Sequence, residues 1–494
     1  MRLTLRIAAT AAALSAALLV SACGSSDNST VDVVVIGDND APFESGARLS
    51  LAGQLAYAST TEGLVAFDNE GRVIPALADR WIVTNDGLSY IFRLRGGTWE
   101  NGSEITAKSA QSALIQAIQA LRGTSLGLDL AGIDEIRAMA GRVIEIRLSR
   151  PMPYLLQLLA QPELGLRFKR VTAGPMRLKR AGDSAKLQPI KPEELGLPAI
   201  EKWNERVRTL RLSALPGKDA VDRFNRGEAD FVLGGSIEDF PLTSSVGILR
   251  GTIQTDPVTG LFGLAVMNGK GFLEKPGNRE AIAMAINRDK LIAPFNVSGW
   301  KPTTRIVAPG LDGDTGTIGE RWVGLSIEAR RRQAAARVAQ WRQEQRKEGP
   351  VRLRIALPQG RGSDLLFIQL RKDFQSIGLE AVRAQGNGEA DLRLIDDVAR
   401  YPHAAWFLNR LNCKTQRGLC DKTADNRVAE AQTAQTPAAR AELLAQAEAA
   451  LTVSNVFIPF GPPIRWSLVR GDAKGFSPNP WGWHPLMPMA LLPT

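Results

Sequence analysis

Side chains able to do chemistry are scarce in this chain. Its 494 residues contain 2 histidines, His403 and His484, and 3 cysteines, Cys23, Cys413 and Cys420. Neither histidine lies in an H-E-x-x-H context and no G-x-S-x-G elbow is present, so metalloprotease and α/β-hydrolase chemistry find no anchor. The sharpest acidic pair is Asp396-Asp397, inside ADLRLIDDVARYPHAAWFLN at 390–409. On a regular strand adjacent side chains point to opposite faces, so these carboxylates cannot share one site as an acid/base pair. A strand end or turn suits them better than catalysis. The residue types favour capture of a ligand over its conversion; no enzyme activity, metal or cofactor is expected.

The N-terminus bears on the cysteines. Arg2 and Arg6 precede an uncharged apolar run, 7–20, shorter than the roughly 20 residues of a spanning helix and suited to a signal-peptide core. Leu19-Val20-Ser21-Ala22-Cys23 matches the lipobox of bacterial lipoproteins, a resemblance that implies lipidation of Cys23. A small-residue cleavage site with an incidental cysteine is the alternative. Residues 1–22 are read as a lipoprotein signal peptide and 23–30 as a flexible polar tether. No later stretch is apolar enough to cross a membrane, so the remainder is expected to be soluble and held at a surface by acyl chains. In an exported chain Cys413 and Cys420 most simply form a disulfide, and zinc is the competing use, without C-x-x-C spacing to support it.

Charge and composition exclude other classes. With 44% hydrophobic and 23% charged residues, disorder and coiled coil fit poorly, and the length allows two or three lobes. Net charge is +10, or +8 once Arg2 and Arg6 leave with the signal. The arginines are spread along the chain, so nucleic acid is not an expected partner. The one dense run, from Arg330-Arg331-Arg332 to Arg337, Arg342 and Arg346, has helical spacing and reads as a solvated helix face.

Several elements must position any site. Residues 31–36 form a β-branched run fit for a buried strand. Asn85-Asp86-Gly87 between β-rich runs signals a hairpin, and Thr106 is placed to cap a helix over 107–121. Segments 210–233 and 351–384 each read as strand, helix, strand, implying parallel pairing. Gly360-Arg361-Gly362-Ser363-Asp364 lacks the phosphate-loop pattern, so Ser363 or Asp364 is read as a helix cap. A cleft between two such lobes is a common ligand site.

At 75–114, PALADRWIVTNDGLSYIFRLRGGTWENGSEITAKSAQSAL resembles the signature region of family 5 extracellular solute-binding proteins, the ABC-transporter components for oligopeptides, dipeptides and nickel. Later motifs follow in family order: Gly174-Pro175, Arg226-Gly227-Glu228-Ala229-Asp230, Asn268, Arg279-Glu280-Ala281, Ala285-Ile286-Asn287-Arg288, and IPFGPPIRWSLV at 458–469. The resemblance covers about residues 31–492. It implies an α/β, periplasmic binding protein-like fold of two α/β lobes around a ligand cleft, with a third accessory domain on lobe one. By that analogy lobe one is 31–53, 165–262 and 462–494, the accessory domain 54–164 and lobe two 263–461.

The implied function is a lipid-anchored, monomeric, periplasmic substrate-binding component of an ABC importer, partnered by permease and ATPase subunits. Gly24 favours the inner leaflet of the outer membrane if the cell is Gram-negative. A non-transport surface lipoprotein using the same scaffold for sensing or protein interaction is the alternative. In peptide-binding relatives a second-lobe strand leads to a turn resembling A-D-Y-P-D-P, whose first aspartate pairs with the peptide amine. Here Ala399-Arg400-Tyr401-Pro402-His403-Ala404 puts Arg400 at that position and His403 at the second acid. An arginine there implies an anionic, blocked or modified peptide, or another small solute. The alternative is that Arg400 points to solvent or pairs with Asp396 or Asp397. Tyr401, Trp406, Asn268, Trp481 and Trp483 complete the candidate lining, with core packing an equal reading for Trp406.

Overall fold

The computed structural model describes residues 30–46, 49–247, 251–346, 348–385 and 389–492. The expected signal peptide, the lipobox with Cys23, and the tether up to Ser29 lie outside the described residues. Thr30, read as the end of the tether, already opens the strand Thr30–Ile36.

That strand is the centre of a seven-stranded sheet. It lies parallel between Thr209–Leu215 and Phe231–Gly235. Val33, Val34 and Val35 are all buried, as expected of a strand covered on both faces, where a continuous β-branched run replaces alternation. The strand-helix-strand unit over 210–233 is present, with Gly217–Asn225 as its helix. Its two strands flank Thr30–Ile36 instead of pairing with each other. Antiparallel strands Ser184–Pro189, Met176–Ala181, Trp466–Val469 and Ile253–Thr255 complete the sheet, making it mixed.

A five-stranded sheet runs in the order Leu379–Arg383, Val351–Ala356, Leu392–Val398, Gly260–Val266, Phe457–Gly461. Here the second expected unit pairs directly: Val351–Ala356 and Leu379–Arg383 are parallel neighbours joined by the helix Arg361–Gln375. The chain leaves the first sheet after Thr255, enters the second at Gly260, and returns from Gly461 to Trp466. The arginine-rich run is the helix Ile327–Glu344. It buries Ala334 and Val338, and part of its charge is paired, Arg331 with Asp373 and Arg337 with Glu280 at 2.6 Å.

A third, four-stranded antiparallel sheet contains Ala78–Val83, Ser89–Leu94, Val143–Leu148 and Ile133–Met139. The first two form the hairpin signalled by Asp-Gly. Asp86 Oδ1 accepts from Leu88 N at 2.9 Å, and Gly87 takes the left-handed φ of 67° that the turn requires. Thr106 caps the helix Ala107–Ala120 in a reciprocal box with Ser109.

The glycine loop at 360–364 differs from expectation. Gly360 is the N-cap of Arg361–Gln375, Ser363 is fully buried, and Asp364 pairs with Arg383. The glycines serve close approach: Gly362 N donates to Glu238 O at 2.8 Å, and a Cβ at Gly362 would lie 2.0 Å from Ile237 O. This loop of the second sheet's lobe therefore touches the first sheet's lobe backbone to backbone. Cys413 and Cys420 form a disulfide with Cα atoms 5.2 Å apart, so those thiols are not zinc ligands.

Candidate functional site

Between the seven- and five-stranded sheets lies a cavity of about 470 Å³. The end of Phe231–Gly235 brings Gly235 and Ser236 to it from one side, and the end of Leu392–Val398 brings Asp396 and Asp397 from the other. Phe67, Trp481 and Trp483 add aromatic surface. Contrary to the expectation from strand alternation, both carboxylates border this one cavity, since they lie where the strand ends, and each has its own cation. Asp396 accepts from Arg465 Nη1 at 2.8 Å, while Arg465 Nη2 reaches the Asp396 carbonyl at 2.8 Å. Burial pushes Asp396 up to about 6 despite that arginine. Asp397 pairs with Arg417. Burial works against its charge, but Arg417 and Arg410 outweigh it and hold the carboxyl below its usual range.

Arg400 borders this cavity. It neither points free into solvent nor pairs with Asp396 or Asp397. Its Nη1 meets both oxygens of Glu163, at 2.6 and 2.7 Å. Glu163 belongs to the short turn Pro162–Leu164, so the ion pair bridges the accessory segment and the second lobe. The positive charge that suggested anion selection at this position is thus already engaged.

The structure divides the remaining candidates. Trp481 and Trp483 border the cavity with Arg400; Trp481 donates from Nε1 to Gly71 O at 2.8 Å and packs 6.2 Å from Phe67. Tyr401, His403 and Trp406 do not border it. Trp406 is fully buried in the core. Asn268 lies in a separate surface groove, where it donates to Asp391 at 3.2 Å. An alternating reading of the 399–404 turn explains the split, since Arg400 faces the cleft while Tyr401 turns inward.

Behind the turn, Tyr401 and His403 belong to a buried junction with the accessory segment. Tyr401 stacks on Tyr154 with ring centroids 4.5 Å apart and donates to Asp129 Oδ1 at 2.8 Å. Asn409 Nδ2 donates to the same oxygen at 2.7 Å. Burial pushes Asp129 up to about 7 and His403 down to about 4, so both are driven toward their neutral forms. His403 Nδ1 accepts from Ala405 N at 3.0 Å and thereby caps the helix Ala404–Arg410.

Residues that border the cleft or hold its charges and were not singled out from sequence include Gln161, Glu163, Arg410 and Arg465. Each owes its position to chain segments distant in sequence, as the separation of 237 residues between Glu163 and Arg400 shows. No local spacing marks them. Among the described residues no group of three histidine, cysteine or acidic side chains is arranged to hold a metal ion.

The family model for bacterial extracellular solute-binding proteins, family 5 Middle, matches residues 72–417. The chain belongs to that family. This solute-binding protein is 33% identical over 129 residues to the probable deoxycholate-binding periplasmic protein YgiS of Escherichia coli K12, covering 21% of this chain and 23% of that one. It is 24% identical over 305 residues to the glutathione-binding protein GsiB of Salmonella paratyphi A, covering 56% of each. The match thus spans 23% of the length of the first of these curated relatives and 56% of the second. The Escherichia coli murein tripeptide binding protein MppA superposes with a TM-score of 0.80 at 18% identity, over 95% of this chain and 99% of that one. That likeness shows the fold: two α/β lobes around a cleft, with an accessory domain.

Proposed function

We propose that this family 5 protein is the lipid-anchored substrate-binding component of an ABC importer. It captures a small solute, peptide-like or otherwise, in the interlobe cleft and delivers it to a membrane permease. The observation that carries the reading is the cavity of about 470 Å³ walled by both sheets, a size suited to a small solute. Three of the carboxylates that border it, Asp256, Asp396 and Asp397, are held by His484, Arg465 and Arg417, an arrangement that supports capture over bond making. Polar contacts at the cleft's margins, Gly362 with Glu238 between the lobes and Arg400 with Glu163 between the second lobe and the accessory segment, can part and re-form as the cleft opens and closes. Curated relatives named for glutathione and deoxycholate support including modified peptides and other anionic solutes in the class it could take.

The lipobox supports anchoring through Cys23 with the lobes in the periplasm, one molecule at a time. Gently purified protein analysed by native mass spectrometry is expected to carry a small solute, lost on partial unfolding, whose return raises the melting temperature. Protein that carries nothing and gains no stability from peptides, glutathione or bile acids would remove the solute-capture reading. Cys23→Ser is expected to shift the protein from the membrane fraction to the soluble one; unchanged fractionation would remove the anchor.

A further inference from the structure

Four arginines border the cleft or its immediate recess, and three have carboxylate partners: Arg400 with Glu163, Arg417 with Asp397, and Arg465 with Asp396. Arg410 has none among the described residues. It ends the helix Ala404–Arg410 and borders both the central cavity and an adjoining recess of about 330 Å³. Its Nη1 donates to Ser125 Oγ at 2.6 Å, its guanidinium carbon lies 5.0 Å over the Trp406 ring, and its Nε is buried without a partner. A guanidinium carries five N–H donors, and one neutral hydroxyl leaves most of this fork unused.

A cation withdrawn from water with so little compensation is destabilising on its own. Asp397 lies close enough to favour its charge, yet burial is the larger influence and holds the guanidinium below its usual value. The geometry leaves room for what is missing. Trp406 covers one face, Ser125 takes one corner, and the recess opens on the rest.

We propose that the transported solute carries a compact anionic group, a carboxylate or phosphoryl group, that docks on Arg410 in the recess between residues 121–126 and the helix Ala404–Arg410. A planar fork matches either anion with two parallel hydrogen bonds. Because Ser125 comes from the accessory segment and Arg410 from the second lobe, an anion placed there also ties the two together in the closed state. The assignment moves anion recognition from Arg400, whose charge Glu163 satisfies, to the arginine that no acid satisfies. It rests on the reading of the cleft as a solute site.

The test melts the full chain in sodium chloride, sodium succinate or sodium phosphate at equal ionic strength, as wild type, Arg410→Gln and Arg410→Lys. Succinate or phosphate is expected to raise the melting temperature above chloride; a response to succinate alone identifies a carboxylate site, and to phosphate alone a phosphoryl site. Arg410→Gln should raise the half-saturating concentration by roughly tenfold or more, as loss of a charge-assisted pair predicts, with Arg410→Lys between the two. In chloride, Arg410→Gln should shift melting only slightly, since removal of a buried cation is offset by loss of the Ser125 hydrogen bond, the Trp406 contact and the attraction to Asp397. Equal melting in all three salts, or an anion response untouched by Arg410→Gln, overturns the assignment. So does a large loss of stability in chloride, which would make Arg410 structural. A solute recovered by mass spectrometry whose binding ignores Arg410→Gln would leave the binding-protein reading standing while this assignment falls.

Discussion

The turn at 399–404 faces two regions built on opposite terms. On its cleft side Arg400 remains charged and meets Glu163 across the boundary with the accessory segment. On its inner side Tyr401 and His403 are sealed against Tyr154 and Asp129, in a space of about 20 Å³. Charges that stay ionised and keep some access to water can exchange partners at modest expense. Neutralised groups locked in a buried network do so less readily, because each one orphaned loses its hydrogen bonds. The cleft is therefore the surface suited to parting, and the junction the one suited to holding.

The largest expected effect tests the junction. Tyr401→Ala removes a fully buried ring together with its stack on Tyr154 and its hydrogen bond to Asp129. Loss of a buried aromatic side chain costs about 4 kcal/mol, so denaturant unfolding should show a fall of that order. Tyr401→Phe, which keeps the ring and removes one of the two hydrogen bonds to Asp129 Oδ1, should lose about 1 kcal/mol. Equal and small losses in both would mean the junction is not a holding surface.

How much of this was legible in sequence follows the range of the interactions. Hairpin and cap signals at Asp86-Gly87 and Thr106 act over a few residues, and they appear where expected. The buried β-branched run at 31–36 was readable for the same reason, although nothing local told which strands would flank it. Family order made the two-lobed fold readable as well. The site was readable only in part. Alternation along the turn decides that Arg400 faces the cleft while Tyr401 faces the core, and that depends on packing against Tyr154, which is 247 residues earlier by its numbering. Glu163 and Arg410 gained meaning only once distant segments met. The capping reading of Ser363 failed because the loop's geometry is set by contact with Glu238 on the other lobe.

A second, smaller effect sharpens the contrast through pH. Asp129 is pushed from 3.8 up to about 7 by burial. An acid whose folded value is raised holds its proton longer in the native state, so its contribution is fully present below about pH 4 and is lost as pH rises through about 7. His403 has the opposite sign. Burial lowers it from 6.5 to about 4, so its contribution is present above about 6.5 and is lost as pH falls through about 4. The two partly cancel in the wild type. Asp129→Asn keeps an acceptor for Tyr401 and Asn409 while removing the titration, and should expose a rise in stability between pH 4 and 7 that the wild type lacks. A shift of this size is worth on the order of 3 kcal/mol. Superimposable pH–stability curves for the two proteins would show that Asp129 is not held near neutrality by the junction.

The smallest effect belongs to the cleft, and its smallness is the point. Glu163→Gln keeps one acceptor for Arg400 but removes the opposing charge. The pair is only partly screened from solvent, with side chains 23% and 11% exposed, so a double-mutant cycle with Arg400→Gln should give a coupling of about 1 kcal/mol. Global unfolding should barely change, because neither lobe's core contains the pair. What should change is the balance of open and closed forms: at 1 kcal/mol a closed fraction falls roughly fivefold relative to the open one. Small-angle scattering of the ligand-free protein would then report a larger mean radius for Glu163→Gln than for wild type. If the pair instead couples as strongly as the loss of Tyr401 destabilises, the boundary at Arg400 is a weld like the junction behind it, and opening of the cleft must take place along another surface.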